Sequence, residues 1–219
     1  MAAAHHLQLV TDRRAARGDL ATAVARAIDA GVDSVQVRDK GASAAELFAT
    51  VVELQRVARS SGVRVLVNDR IDVALATRAH GVHLAANSLP PAVARAVLEP
   101  WQLVGVSVHA VDEAVRAAAD GADYLTFGHV FDTPSHAGEP ARGAAMLAHV
   151  VAAVDVPVIA IGGITAARVG EVLATGCAGI ALISAILSAA DPAAAAAALR
   201  QAIDDAAFPP RRPFPERRD

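Results

Sequence analysis

Short apolar segments alternate with longer amphipathic segments along most of the chain. The short ones are rich in Val, Ile and Leu, which is typical of strands buried on both faces of a parallel sheet. We predict eight strands, at residues 7–11, 34–38, 64–68, 81–84, 103–108, 124–127, 157–161 and 179–183. Helix-like segments lie between them, including 20–30, 44–60, 92–98, 111–119, 144–153 and 166–174.

Strands that alternate with helices predict βαβ units and a parallel sheet. Eight units in 219 residues predict a single (β/α)8 TIM barrel, class α/β, over residues 1–207. The alternative is a doubly wound open sheet, but Thr11-Asp12-Arg13 follows the first strand where a glycine-rich dinucleotide motif would stand. We expect residues 1–6 to be a loose, solvated terminus and the Pro- and Arg-rich tail, 208–219, to be disordered.

Composition and charge limit the classes of binding partner that the protein is expected to have. No apolar run reaches the roughly 18 residues of a membrane span, and the net charge of −3 gives no sign of a nucleic-acid partner. The start lacks the pattern of a signal peptide, and Cys177 is the single cysteine, so we expect a cytoplasmic protein. Lys40 is the single lysine in an arginine-rich chain, which makes it a candidate functional residue.

In a barrel of this class, function collects at the carboxyl ends of the strands. Gln36, Arg38 and Lys40 follow the second strand at a spacing of two, which places them on one face if the strand continues. There they would bind an anion, although an exposed edge is the alternative. Asp69 follows the third strand, where it either caps the next helix or contacts substrate.

The remaining strand ends differ in what they predict. His83 lies at an alternating position of the fourth segment, and we interpret it as a core histidine whose hydrogen-bonding groups are satisfied. Ser107 and His109 end the fifth segment, and one of them reaches the mouth. Gly162-Gly163 after the seventh and Ser184 at the start of a short helix after the eighth offer backbone N–H groups, which predicts a phosphate site.

His129 follows the sixth strand and opens a loop rich in Gly, Pro, Ser and Thr. An imidazole there is placed for acid/base chemistry near neutral pH.

Together these residues resemble the thiamin phosphate synthase superfamily. The similar motifs are Gln36-Val-Arg-Asp-Lys40, Asn68-Asp69, Gly81-Val-His-Leu84, Gly105-Val-Ser-Val-His109, Gly121-Ala-Asp-Tyr124, Val158-Ile-Ala-Ile-Gly-Gly-Ile164 and Ile183-Ser184. The resemblance implies one of two activities. Synthases join a pyrimidine pyrophosphate to thiazole phosphate with Mg²⁺, whereas thiazole tautomerases (TenI-like proteins) aromatise a thiazole carboxylate phosphate by moving a proton.

Two departures from the synthase pattern favour the tautomerase. Ser88 stands where a synthase has a Mg²⁺-binding Asp, and His136 stands where it has a pyrophosphate-binding Lys. The Gly128-His-Val-Phe form resembles the tautomerase branch, which implies that His129 is the acid/base. We therefore predict an isomerase of thiamin biosynthesis that needs no metal or other cofactor.

The site residues implied for that isomerase surround a small phosphorylated thiazole. The predicted binding residues are Gln36, Arg38, Lys40, Asn68, Ser107, Thr133, Gly162, Gly163, Ile183 and Ser184. We also expect a homo-oligomer, most simply a dimer. Two alternatives remain: a Mg²⁺-dependent synthase in which Asp69 holds the metal, and a non-catalytic regulator that binds thiazole phosphates.

Overall fold

The strands close into a cylinder. In the computed structural model, which describes residues 5–85 and 87–215, eight parallel strands pair in chain order and the last pairs with the first. The strands are β1 His6–Val10, β2 Ser34–Val37, β3 Arg64–Asn68, β4 Gly81–Leu84, β5 Leu103–Val108, β6 Tyr124–Gly128, β7 Val158–Ile161 and β8 Gly179–Leu182. Closure runs through His6 opposite Gly179 and Leu9 opposite Leu182. The predicted (β/α)8 barrel is confirmed.

Helices surround the cylinder. They are α1 Leu20–Asp29, α2 Ala44–Ala58, α3 Ile71–Ala76, α4 Pro91–Val97, α5 Val111–Ala119, α6 Gly143–Ala153, α7 Val169–Leu173, α8 Ser184–Leu187 and α9 Pro192–Asp204. Helices α3 and α9 were not among those predicted. Asp191 starts α9 by accepting hydrogen bonds from the N–H groups of Ala193 and Ala194. No helix in the described part of the chain is long and apolar enough to cross a membrane.

Two apolar cores stabilise this arrangement. The larger core lies between strands and helices and includes Val35, Leu125 and Leu147. The smaller core fills the inside of the barrel and contains Val10, Leu66, Leu103, Tyr124, Ile159, Ala178, Ala181 and Phe214. A filled interior leaves no channel through the barrel, so a substrate has to bind at the strand ends.

The two termini meet at the amino-terminal end of the barrel. Phe214 is buried there, stacked on the His6 ring at 3.9 Å between centroids, and the Arg64 guanidinium lies 4.7 Å from its ring centroid. The Arg211 N–H donates to the Gly176 carbonyl. The expected disorder of 208–219 is thus replaced, over 211–215, by docking against the barrel; residues 216–219 lie outside the described part.

The solvated amino terminus was also predicted wrongly for its last two residues. His5 and His6 are both buried, and His6 Nε2 lies 2.7 Å from the Ser34 hydroxyl. Burial lowers the pKa of both imidazoles, most strongly that of His6. Residues 1–4 lie outside the described part of the chain.

Candidate active site

The polar residues after β2 begin inside the barrel and end in solvent. Gln36 is buried and donates to the Asn68 side-chain oxygen at 3.0 Å. Arg38 is half-buried and forms an ion pair with Asp12 at 3.4 Å. The strand stops at Val37, however, and Lys40 is exposed in a turn. The prediction of one continuous strand face is therefore wrong for Lys40.

Asp39 explains why the strand stops. Its carboxylate accepts from the Gly41 N–H and pairs with Arg13 at 3.1 Å, which closes a turn around Lys40. Within residues 5–85 and 87–215, Lys40 has no ion-pair partner. The turn thus leaves the Lys40 ammonium in solvent, two residues after Arg38.

Asp69 does not cap the helix that follows it. Arg70 is the residue that precedes α3, and its side chain makes no cap hydrogen bond. Asp69 instead adopts a φ of 64°, a left-handed conformation that costs a non-glycine residue about 1–2 kcal/mol. Its carboxylate accepts a hydrogen bond from the Ser88 hydroxyl. Its side chain therefore points away from the start of α3.

Ser88 lacks the charge of the acidic residue that a synthase has at this position, but the structure gives it a role. Its hydroxyl accepts from the Ala85 N–H at 2.7 Å while it donates to Asp69. The turn after β4 and the end of β3 are therefore joined through one serine. Ala86, in the same turn, lies outside the described residues.

A buried chain of polar groups runs from the barrel interior towards the mouth. His83 Nδ1 lies 3.0 Å from the Tyr124 hydroxyl, and His83 Nε2 lies 2.9 Å from the Ser107 hydroxyl. Burial lowers the pKa of His83 to about 4, so its imidazole is neutral at pH 7. The prediction of a satisfied core histidine is confirmed. Ser107 is half-buried at the outer end of this chain.

His109 has a different role from Ser107. The His109 Nδ1–H donates to the Gly128 carbonyl at 2.7 Å, and Arg142 Nε donates to the same oxygen at 2.9 Å. These bonds fix the end of β6. Arg142 was not predicted, and only its position at the start of α6 could have indicated it.

Three loops meet where the phosphate site was predicted. Gly162 and Gly163 have φ values of 99° and 65°, which favour glycine, and Ile183 precedes the first turn of α8 at Ser184. The first turn of a helix leaves backbone N–H groups without partners. A Cβ on Gly163 would lie 2.5 Å from the Asp132 carbonyl oxygen, so the loop after β6 packs directly against this glycine.

The loop after β6, residues 129–142, will be called loop 6. It contains half-buried Thr133, which precedes a 3-10 turn at Pro134–His136. His129 is only 3% exposed; its Nε2 lies 3.3 Å from the Glu139 carbonyl oxygen, and its ring stacks on His136 at 4.6 Å between centroids. The imidazole predicted as an acid/base is thus covered by its own loop rather than presented to the mouth.

Comparisons with known proteins agree on one family. The sequence model of the family described as thiamine monophosphate synthase matches residues 7–186. The thiamine-phosphate synthase of Methanoculleus marisnigri is 45% identical over 202 residues, covering 91% of this chain and 95% of that protein. A putative thiamine-phosphate synthase of Geobacter sulfurreducens is 45% identical over 208 residues, covering 94% and 95%.

A solved structure gives the same result. Thiamine phosphate pyrophosphorylase from Pyrococcus furiosus has a TM-score of 0.84 and 36% identity, covering 91% of this chain and 96% of that one. A 3-hexulose-6-phosphate synthase, with a TM-score of 0.69 and 20% identity, shows only that the barrel fold is shared.

These findings overturn the predicted activity. Relatives that are 45% identical over nearly the whole chain are named as synthases, so the prediction of a thiazole tautomerase, and with it of an isomerase, is wrong. Ser88 and His136, which stand at two turns, therefore do not place the chain outside the synthases. With family model, relatives and solved structure in agreement, this chain belongs to the thiamine monophosphate synthase family.

Proposed function

We propose that this protein is a Mg²⁺-dependent thiamin phosphate synthase, a transferase that joins a pyrimidine pyrophosphate to thiazole phosphate. The observation that carries the proposal is the presence of two separate anion-binding groups at one barrel mouth. The cations Arg38 and Lys40 follow β2 and form the first group, whereas Gly162, Gly163 and Ser184 follow β7 and β8 and form the second. Two phosphorylated substrates require two such groups, and the Asp69 carboxylate after β3 adds the hard oxygen ligand that a Mg²⁺-dependent synthase needs.

The donor set after β3 and β4 fits a magnesium ion. Mg²⁺ keeps several waters and is usually held by one or two carboxylates together with substrate phosphates. Asp69 supplies one carboxylate, and its hydrogen bond from Ser88 fixes the orientation of that carboxylate. A second acidic residue at position 88 is therefore unnecessary. Bound there with the pyrophosphate, Mg²⁺ would neutralise charge on the leaving group.

The protein's own residues divide the remaining work. Gly162, Gly163 and Ser184 hold the thiazole phosphate through backbone N–H groups, and Ile183 and Thr133 border that site. In the reaction, the bond from the pyrimidine methylene carbon to the pyrophosphate oxygen breaks, and a bond from that carbon to the thiazole nitrogen forms. The electron pair leaves with the pyrophosphate.

The cationic side chains act on that leaving group. Arg38 and Lys40 stabilise the charge that the pyrophosphate gains, as fixed positive groups do at sites of developing negative charge. Gln36 and Asn68 line the floor beneath them, joined by their mutual hydrogen bond. Ser107, with its hydroxyl oriented by neutral His83, contacts the pyrimidine.

Direct synthesis tests the proposal. The protein is incubated with the pyrimidine pyrophosphate, thiazole phosphate and MgCl₂, and thiamin phosphate is measured by chromatography. We expect formation of the product, its loss with EDTA and its recovery with excess Mg²⁺. Binding of thiazole phosphate without any product would contradict the proposal and favour a non-catalytic role.

A matched pair of variants tests the metal ligand. Asp69→Asn removes the carboxylate charge and should lower kcat/KM by at least about a hundredfold. Asp72→Asn is the control, because Asp72 lies three residues away and is exposed, in an ion pair with Arg70. Equal activity of the two variants would exclude Asp69 as a magnesium ligand.

A further inference from the structure

Loop 6 brings together three side chains with metal-ligating atoms. His129, His136 and Glu139 each place one ligand atom within 4.8 Å of the other two. His136 Nδ1 already lies 3.6 Å from a Glu139 carboxylate oxygen. Among the residues that the structure describes, no other group of three His, Cys, Asp or Glu side chains is gathered in this way.

His129 supplies a second and independent observation. The residue is 3% exposed, and its Nδ1 has no hydrogen-bond partner among the described residues. Nε2 lies 3.3 Å from the Glu139 carbonyl oxygen, which can only accept, so the hydrogen bond assigns the proton to Nε2. Nδ1 therefore carries a buried lone pair without a partner, which is unfavourable unless a ligand uses it.

This arrangement is the one that histidine metal ligands normally have. A coordinating imidazole usually donates its other N–H to a carboxylate or backbone carbonyl, which orients the ring. His129 makes that bond to Glu139, the residue that also supplies the third ligand. A single loop thus provides both the ligands and the hydrogen bond that orients one of them.

The ligand types indicate which ion fits. Two imidazoles and one carboxylate match a three-ligand zinc site, whereas Mg²⁺ prefers oxygen ligands alone. Zinc bonds of about 2.0–2.1 Å place tetrahedral ligand atoms roughly 3.3 Å apart. Buried His129 is the fixed anchor, and His136 and Glu139 are exposed loop residues that can close this distance. The His136 ring lies 13° from parallel with the His129 ring, so it has to turn out of this stack for both imidazoles to face one ion.

We propose that His129, His136 and Glu139 form a binding site for a divalent transition-metal ion, best matched by Zn²⁺, with a fourth position open to water or an anion. This site is distinct in ligand chemistry from the Mg²⁺ position at Asp69. It adjoins the phosphate-binding glycines, because a Cβ on Gly162 would lie 2.7 Å from His129 Cα. A bound ion would hold loop 6 against the end of β6, next to the thiazole phosphate.

The test is metal binding by the intact chain, which does not require synthase activity. Chelator-treated protein is titrated with Zn²⁺ by calorimetry in the presence of millimolar Mg²⁺. Titration with Co²⁺ adds an optical readout, since tetrahedral and octahedral Co²⁺ differ in visible absorption. We expect one Zn²⁺ per chain with micromolar or tighter affinity and a tetrahedral Co²⁺ spectrum.

Variants locate the ion. His136→Gln and Glu139→Gln change exposed loop residues, so the barrel should fold unchanged, which far-UV circular dichroism checks. Each should weaken Zn²⁺ binding more than tenfold, because each removes one of three protein ligands. His149→Gln is the control, because His149 is exposed on α6 outside the cluster. Equal losses in all three variants, unchanged binding in His136→Gln, or only millimolar binding by the original chain would each overturn the proposal.

Discussion

The docking of the carboxyl-terminal tail can be tested with two phenylalanines that differ only in their surroundings. Phe214 is 8% exposed and lies among His6, Tyr124 and Arg64 at the bottom of the barrel. Phe208, six residues earlier on the same tail, is 46% exposed. Replacing each with Ala separates the contribution of the docked ring from any general effect of altering the tail.

The expected size of the effect follows from the contacts. Burying a phenylalanine side chain contributes about 1.5–3 kcal/mol. The stacked and tilted contacts, at 3.9 Å to His6 and 4.9 Å to Tyr124 between centroids, add about 0.5–1.5 kcal/mol for an aromatic pair. A terminal tail can shift after the substitution more easily than a residue in the middle of a core. We therefore expect the free energy of unfolding to fall by about 3 kcal/mol, the low end for core Phe→Ala changes.

Thermal unfolding measures this loss. For a chain of this size, about 1 kcal/mol shifts Tm by roughly 2–4 °C, so Phe214→Ala should lower Tm by about 6–12 °C. Phe208→Ala should change stability by less than about 0.5 kcal/mol. If the two variants unfold within 1 °C or so of each other, the tail does not dock in solution and the reasoning is wrong.

Three further predictions concern the barrel interior and its surroundings. The folded-state pKa of His83 is about 4, below the unfolded value of 6.5, so only the unfolded chain gains this proton between those pH values. The free energy of unfolding should therefore fall by about 3 kcal/mol as the pH drops from 6.5 to 4. Chemical denaturation should show a smaller fall in His83→Gln, and an equal fall in the variant would contradict this prediction. Gly105→Ala would drive a methyl group into the Tyr124 ring and should destabilise the protein by about 1–3 kcal/mol. Gly170→Ala is the control on an open helix face, where the change should be neutral or stabilise the protein by up to about 1 kcal/mol. Similar denaturation midpoints for the two variants would argue against the close contact. Burial raises the pKa of Cys177 to about 11, so a thiol reagent should label it only after unfolding, and rapid labelling of the native protein would refute its burial.

Much of the fold was predictable because its signals are local. Parallel strands buried on both faces must be apolar throughout, so β3, β4 and β5 were predicted with the bounds that the structure has. Helices α3 and α9 were missed. Helix α3 has only six residues, which is too short for a clear periodic pattern. Helix α9 begins with a run of alanines, so its first turns have no alternation of apolar and polar residues that would indicate a helix face.

Part of the candidate site was predictable for the same reason, since strand ends identify the mouth of a barrel. The side chains at the mouth were not, because their directions depend on contacts between loops distant in sequence. Lys40 leaves the strand face because Asp39 binds Arg13, and Asp69 faces Ser88, 19 residues away, instead of capping α3.

The tautomerase was predicted in place of the synthase for the same reason, because contacts between loops are not visible in the sequence. The missing acidic residue at position 88 was read as the loss of a metal site. In the structure, Ser88 supports the remaining carboxylate, and Mg²⁺ needs no more than one or two. His129 looked available for catalysis because a sequence cannot show that loop 6 folds back over it.

Sequence alone determined the eight-stranded barrel, the order of its elements and the strand ends that form the mouth, because hydrophobic periodicity and turn residues act over a few neighbours. Tertiary structure alone decided that the tail closes the bottom of the barrel, that Asp69 and Ser88 form a pair, and that His129 lies beneath His136 and Glu139. The first two contacts join segments far apart in the sequence, and the third joins residues of one loop that fold back on each other. The free energy of each depends on burial and hydrogen bonds that exist only once the barrel has closed.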